Sequence, residues 1–148
     1  MPIVEHSKLD VATEHLHAAI ILYLDHHAYF AAIHLAGAAS ELFDGHLPKE
    51  RRTGEIAWRG QKVLHRIEKG REATNSEINE VVNGAKNAVK HMDDDSVSTV
   101  TVDAHWEAQW YIESALNGFE KLGLKRTPTI WRYLDYYNAL IKAKVIEL

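Results

Sequence analysis

Three polar residues at helical spacing near the middle of the chain are the side chains best suited to chemistry. Asn83, Asn87 and His91 recur at i, i+4 and i+8, so a helix would place them on one face, with Lys86 and Lys90 beside them. Histidine exchanges a proton near neutral pH, and a cation next to amides can hold a phosphate, which together are the minimum for RNA cleavage without a metal. The same residues also fit an ordinary solvated helix face, where a histidine in the last turn interacts favourably with the helix dipole.

A metal enzyme is a competing hypothesis. Glu14 and His17 form the Glu-x-x-His pair that di-iron helical bundles use twice, but the sequence contains no second pair, and this one lies on the polar side of the first predicted helix. We therefore predict no metal site and no cofactor. His34 and Glu41, in the second predicted helix, are interpreted as a buried polar pair. The absence of cysteine excludes disulfides, thiolate metal sites and cysteine nucleophiles.

Length and composition indicate one globular domain spanning residues 1–148. Hydrophobic residues make up 46% of the chain and charged residues 26%, which is typical of a folded protein. The formal net charge is −4, so any binding of nucleic acid depends on a local patch. The first ten residues lack the apolar run of a signal peptide, and the longest aliphatic stretch, 18–24, is too short to span a bilayer. These features predict a soluble, cytoplasmic protein without a membrane partner.

The periodicity of apolar residues predicts an all-α fold, an up-and-down bundle of about five to six helices. The second helix is apolar nearly all round, which is typical of a helix at the centre of a bundle. Thr127 as N-cap and Pro128 as first helical residue predict the start of the last helix. The predicted helices cover residues 7–25, 27–46, 54–69, about 75–92, 103–122, and 128 into the last ten residues.

Two of the middle helices have clear amphipathic patterns. The third helix places Ile56, Val63 and Ile67 on a predicted buried edge. A basic stripe lies opposite, which we interpret as a solvated face, with a phosphate-facing stripe as the alternative; it contains Arg59, Lys62, Arg66 and Lys69. The fourth helix has a predicted core face of Ile78, Val81, Val82, Ala85, Val89 and Met92.

The fifth helix leaves two tryptophans away from its apolar face. That face consists of Ala108, Ile112, Ala115, Phe119 and Leu122. Trp106 and Trp110 lie about opposite, and two aromatic side chains on a polar face require a partner. Three partners remain open, in order of preference: the last helix, a second copy of the chain, or stacked nucleic-acid bases.

The segment Lys86-Asn87-Ala88-Val89-Lys90-His91 resembles the Arg-Asn-x-x-x-His signature of HEPN domains, which lies on a late helix of a small helical bundle. The alanine-rich segment 35–41 is similar to the second helix of HEPN-like bacterial proteins, and the resemblance covers residues 5 to about 122. It implies a homodimer in which two such helices meet and form a cleft for RNA or a nucleotide. Many members are ribonucleases or toxins paired with a nucleotidyltransferase partner, while others only bind.

Carried over residue by residue, the resemblance makes His91 the group that transfers a proton at the ribose 2′-hydroxyl. Asn87 would orient the phosphate or His91, and Lys86 occupies the arginine position. Asn83 and Lys90 are not signature residues, but their place on and beside the polar stripe predicts that they bind the ligand. Lysine lacks the planar, bidentate fork of arginine, so this departure from the signature favours binding over metal-independent RNA cleavage. The alternative function is a non-catalytic helical dimer that acts as a protein-interaction module.

Overall fold

The computed structural model describes residues 2–90 and 99–146, and all regular structure in these ranges is helical. The prediction of an all-α bundle is therefore confirmed. None of the helices in this part of the chain has both the length and the apolar character needed to cross a bilayer. The helices are α1 (Lys8–Asp25), α2 (Tyr29–Asp44), α3 (Thr53–Lys69), α4 (Asn75–Lys90), α5 (Ala104–Lys121) and α6 (Pro128–Ile146). A short 3₁₀ turn, Lys49–Arg51, lies between α2 and α3.

Local sequence signals set the helix ends. The Ser7 side chain accepts a hydrogen bond from the Leu9 amide at the start of α1, and Asp103 accepts one from the Trp106 amide at the start of α5. The Thr127 hydroxyl accepts a hydrogen bond from the Ile130 amide, 3.4 Å away, as predicted for the N-cap of α6. These caps satisfy backbone amides that have no partner within the helix. They explain why most predicted ends lie close to the observed ones.

Helix α2 is the centre of the bundle, as its apolar pattern predicts, and it packs mainly against α1 and α5. Its alanines allow the neighbouring helices to approach closely, and its large side chains fill the space between them. Phe43 is fully buried and meets the Phe119 ring edge-on, with the ring centroids 5.8 Å apart. At Gly118 of α5, a Cβ atom would lie 2.9 Å from the Cβ of Phe43, so this crossing requires glycine. The core is therefore tightest between α2 and α5.

The predicted buried edge of α3 is wrong. Ile56, Val63 and Ile67 are all exposed, and no residue of α3 is buried. On α4, Ile78, Val82 and Ala85 are buried and Val89 is half-buried as predicted, whereas Val81 is 64% exposed. Met92, the last predicted core position of that helix, lies outside the described residues. An amphipathic pattern identifies an apolar face but not whether another element covers it.

Polar contacts join α3 and α4 into a hairpin at the edge of the bundle. The Glu77 carboxylate of α4 binds His65 of α3, at 2.7 Å, and Arg71 in the connecting turn, at 3.2 Å. The Arg71 hydrogen bond, with help from His65 and Thr74, lowers the pKa of Glu77 to about 2. These polar contacts, rather than a buried apolar core, hold much of the hairpin together.

Candidate functional site

Lys86, in the arginine position of the predicted motif, lies across Gly37 of the central helix. A Cβ atom on Gly37 would be 2.5 Å from the Lys86 Cδ atom, so glycine makes room for the lysine stem. The Lys86 side chain is only 13% exposed, and its ammonium group forms an ion pair with Glu41 of α2, which is 63% exposed. The stem of Lys86 is therefore buried, while a carboxylate at the surface neutralises its charge.

The same ion pair corrects another prediction. His34 and Glu41 do not form a buried polar pair, because both side chains are exposed and Glu41 binds Lys86 instead. The sequence places both residues on the same helix, but it does not show that α4 lies beside that helix. The Glu41 carboxylate therefore pairs with Lys86, from a distant part of the chain, rather than with His34.

Tyr111 of α5 holds α4 at the turn that carries the motif. Its hydroxyl donates to the Val82 carbonyl, 3.2 Å away, and lies 3.4 Å from the Lys86 amide, which donates to it. Tyr111 is buried, and this burial raises the pKa of its hydroxyl to about 12. Val82 and Lys86 are four residues apart, so their carbonyl and amide groups belong to the same turn of α4, and the Tyr111 hydroxyl contacts both. Helix α4 is thus held from α2 on one side and from α5 on the other.

The two asparagines of the polar stripe, Asn83 and Asn87, are half-buried on α4. Asn83 donates to the Asn79 side chain, 3.0 Å away, and it lines a cavity of about 70 Å³ together with Lys86, Glu41 and Trp110. The structure therefore brings Asn83 and Lys86 to one polar cavity between α2, α4 and α5. A cavity of this size is too small for a nucleotide and suits at most a few atoms of a larger ligand.

His91 and the side chain of Lys90 lie outside the described residues. Their roles as proton-transfer group and ligand-binding cation remain predictions. The described candidate residues are Asn83, Lys86 and Asn87, of which Lys86 and Asn87 belong to the motif, and all three lie on α4 rather than in a loop.

Some of the other sequence candidates make contacts within the chain. The four side chains of the basic stripe on α3 are all exposed. Two of them pair with carboxylates, Arg59 with Glu55 and Arg66 with Glu72. His17 of the Glu-x-x-His pair hydrogen-bonds to the Thr127 hydroxyl at 2.7 Å, and burial lowers its pKa. Across the described ranges, no three histidine, aspartate or glutamate side chains come together as metal ligands would.

The two tryptophans of α5 have different environments. Trp110 is half-buried and meets the Tyr111 ring edge-on, with centroids 4.9 Å apart. It borders a groove lined on the other side by Tyr137 and Ile141 of α6, so the last helix covers it in part. Trp106 remains 57% exposed and also borders a groove of about 370 Å³ beside α3 and α4. The predicted intramolecular cover therefore applies to Trp110 more than to Trp106.

One cavity was missed by the sequence analysis. It lies at the turn between α1 and α2, has a volume of about 250 Å³, and is lined by tyrosines, histidines and an arginine from four helices and the α1–α2 turn. The side chains come from positions as far apart as Tyr23 and Tyr136, so no sequence spacing relates them. The one local signal is His27, in the short α1–α2 turn, followed two residues later by Tyr29 at the start of α2.

Comparison of the chain with protein-family models, with curated proteins and with solved structures found no match. A functional assignment therefore depends on the chain's own geometry and on the resemblance of residues 86–91 to the HEPN signature. The structure supplies geometry for residues 83–87, where α4 packs against α2.

Proposed function

We propose that this protein is a HEPN-like domain that binds RNA or a nucleotide through the end of α4, with binding rather than cleavage as its main activity. The observation that supports this best is the position of Lys86 over Gly37, paired with Glu41. Such packing gives the motif helix a defined position, and Asn87 is half-buried at the surface of α4.

The Lys86–Glu41 pair favours the binding form over the catalytic one. A ribonuclease needs positive charge on the oxygens of the transition state, and arginine supplies it through two parallel hydrogen bonds. Lys86 supplies one ammonium group, whose charge is already shared with a carboxylate. In this proposal Lys86 positions α4, while Asn83, Asn87 and Lys90 contact the ligand and His91 lies beside it.

A binding assay with matched asparagine variants tests the proposal. We expect wild-type protein to bind single-stranded RNA or a nucleotide at low salt, with an affinity that falls as salt rises. The double variant Asn83→Ala/Asn87→Ala, which replaces both asparagines of the polar stripe, should bind about tenfold more weakly, since each substitution removes a hydrogen bond to the ligand. Asn117→Ala removes an exposed asparagine of α5 and should leave the affinity unchanged. If neither RNA nor a nucleotide binds, or if the asparagine double variant and Asn117→Ala lose the same affinity, the proposal is wrong.

Cleavage is tested in the same samples with a chelator present. If the protein cleaves RNA, we expect products with 2′,3′-cyclic phosphate ends, and His91→Ala should slow the reaction by about 10² or more. His34→Ala, which removes an exposed histidine of α2, is the control and should cleave normally. Equal cleavage by wild type and His91→Ala excludes the catalytic form, as do products without cyclic ends.

A second candidate function, self-association, is favoured by the exposed apolar residues of α3. We define the α3 strip as Ile56, Val63, Leu64 and Ile67, each about half exposed or more. Ile56, Gly60, Val63 and Ile67 follow the alternating four- and three-residue spacing of a seam between two helices. An apolar seam at the surface of one copy is typical of an interface.

Gly60 makes the strip self-complementary. It lies near the middle of α3, and a Cβ atom there would meet nothing within 4 Å. A glycine in a helix costs about 1 kcal/mol relative to alanine, but it allows a second helix to approach closely. If two antiparallel copies cross at Gly60, Ile56 faces Leu64 of the partner subunit, because the two residues are equally far from the crossing. An apolar pair is thus matched, as a two-fold interface requires.

Sedimentation velocity tests the self-association. We expect a concentration-dependent dimer for the wild type and a monomer for Val63→Asp, since the carboxylate would be buried without a partner. Val4→Asp places the same charge on another exposed valine outside α3 and should remain dimeric. Circular dichroism confirms that both variants are helical. A monomeric wild type, or a Val63→Asp variant that dimerises as well as Val4→Asp, would contradict this candidate.

A further inference from the structure

The cavity at the α1–α2 turn is well separated from the proposed α4 site. Tyr29, at the start of α2, borders it, whereas Glu41 lies near the other end of the same helix. Twelve residues of helix separate the two, which corresponds to about 18 Å along the axis. The cavity therefore belongs to a different part of the surface, and its ligand is independent of the function proposed for α4.

The inner wall of the cavity is a cluster of aromatic polar groups. The hydroxyls of Tyr23 and Tyr136 lie 3.5 Å apart, and each is close to Nε2 of His105, at 2.9 and 3.4 Å respectively. The Tyr23 ring also stacks on the His105 ring, with a centroid distance of 5.3 Å. Tyr23 is buried, and this burial raises the pKa of its hydroxyl, so the hydroxyl stays protonated and can donate. The wall offers flat rings together with hydrogen-bonding groups.

The outer wall carries the cationic groups. Arg132 of α6 lines the cavity and forms a two-bond ion pair with Asp25, one bond of which measures 2.8 Å. His27 lies in the turn with a φ of 51°, a left-handed conformation that is uncommon outside glycine, and its Nδ1 is 3.1 Å from the Tyr29 hydroxyl. Strained backbone of this kind is enriched at binding sites.

The chemistry of the lining selects a class of ligand. Among the described residues, one arginine, two histidines and three tyrosines line the cavity and no carboxylate does, so donors greatly outnumber obligate acceptors. An anion is the complementary ligand, and the planar guanidinium of Arg132 suits a planar carboxylate. The aromatic walls suit a flat ring. A volume of about 250 Å³ is slightly below the usual range for small-molecule sites, so it accommodates no more than a single ring.

We infer that the cavity at the α1–α2 turn is a binding site for a small aromatic carboxylate, with the carboxylate on Arg132 and the ring against Tyr136 and His105, two partly exposed rings of the lining. Binding is an exchange of partners, in which the ligand carboxylate takes over part of the hydrogen bonding that Arg132 gives to Asp25. The Tyr136 hydroxyl, half-buried at the edge of the cavity, is placed to donate a second hydrogen bond.

Calorimetric titration of the full chain with benzoate tests the inference. We expect saturable binding with one site per chain. Benzamide keeps the ring but lacks the charge, and cyclohexanecarboxylate keeps the charge but lacks the flat ring; both should bind at least about tenfold more weakly. Inorganic phosphate, an anion without a ring, should not compete at equal concentration. No benzoate binding, or equal binding of benzoate and benzamide, would overturn the inference.

Two arginine variants locate the site. Arg132→Gln should weaken benzoate binding about tenfold or more, because the charge that holds the carboxylate is lost. Arg126→Gln is the matched control: Arg126 also forms a two-bond ion pair, with Glu120, and lies away from the cavity. It should bind benzoate as the wild type does. Chemical-shift changes on benzoate addition should include the amides of His27 and His105. Equal effects of the two arginine variants, or shift changes confined to other parts of the chain, would contradict the assigned site.

Discussion

Phe43→Ala should destabilise the protein by about 3–5 kcal/mol, a large part of the 5–15 kcal/mol that stabilises a typical domain. Phe43 is fully buried where α2 and α5 meet, and its ring packs against Phe119. Truncation removes both the buried apolar surface and an aromatic pair, and it leaves a cavity in the tightest part of the core. Urea denaturation followed by circular dichroism measures the loss.

The matched control lies on the same helix. Phe30 is 47% exposed, so Phe30→Ala removes the same atoms from a position that is only partly buried. It should cost about 1 kcal/mol or less, because less apolar area returns to water and no closed cavity forms. If the two alanine variants lose the same stability, the packing of α2 against α5 is not as described.

Tyr111→Ala has the second largest expected effect, because this side chain combines burial with a role in positioning α4. We expect a loss of about 3–5 kcal/mol, as for other large aromatic truncations. Tyr111→Phe separates the two contributions: it keeps the ring in the core and removes only the hydroxyl that contacts Val82 and Lys86. It should cost about 1 kcal/mol.

Amide hydrogen exchange shows whether the lost hydroxyl loosens the motif helix. In Tyr111→Phe, exchange of the α4 amides should accelerate about fivefold or more, while α1 and α2 exchange as in the wild type. Measuring the affinity of Tyr111→Phe for RNA or a nucleotide then shows whether binding depends on the position of α4. Wild-type stability and wild-type exchange in Tyr111→Phe would show that the hydroxyl does not hold α4.

Helix boundaries and the central position of α2 could be predicted because they depend on near neighbours in the sequence. Caps such as Ser7 and Thr127 act within three residues, and an apolar helix has few stable locations other than a core. The exposure of the α3 strip could not be predicted, since its amphipathic pattern is the same whether a neighbouring helix covers it or not. The same holds for Val81 of α4.

In the candidate sites, helical periodicity alone predicts which chemical groups share a face of α4, because the 3.6-residue period places Asn83 and Asn87 together. The burial of Lys86 over Gly37 and its pairing with Glu41, which weaken the case for catalysis, depend on how the helices pack. The same is true of the cavity in which Tyr23, His105 and Arg132 meet. Such contacts join residues more than 25 positions apart, and they follow from how helices pack rather than from any periodicity along one helix.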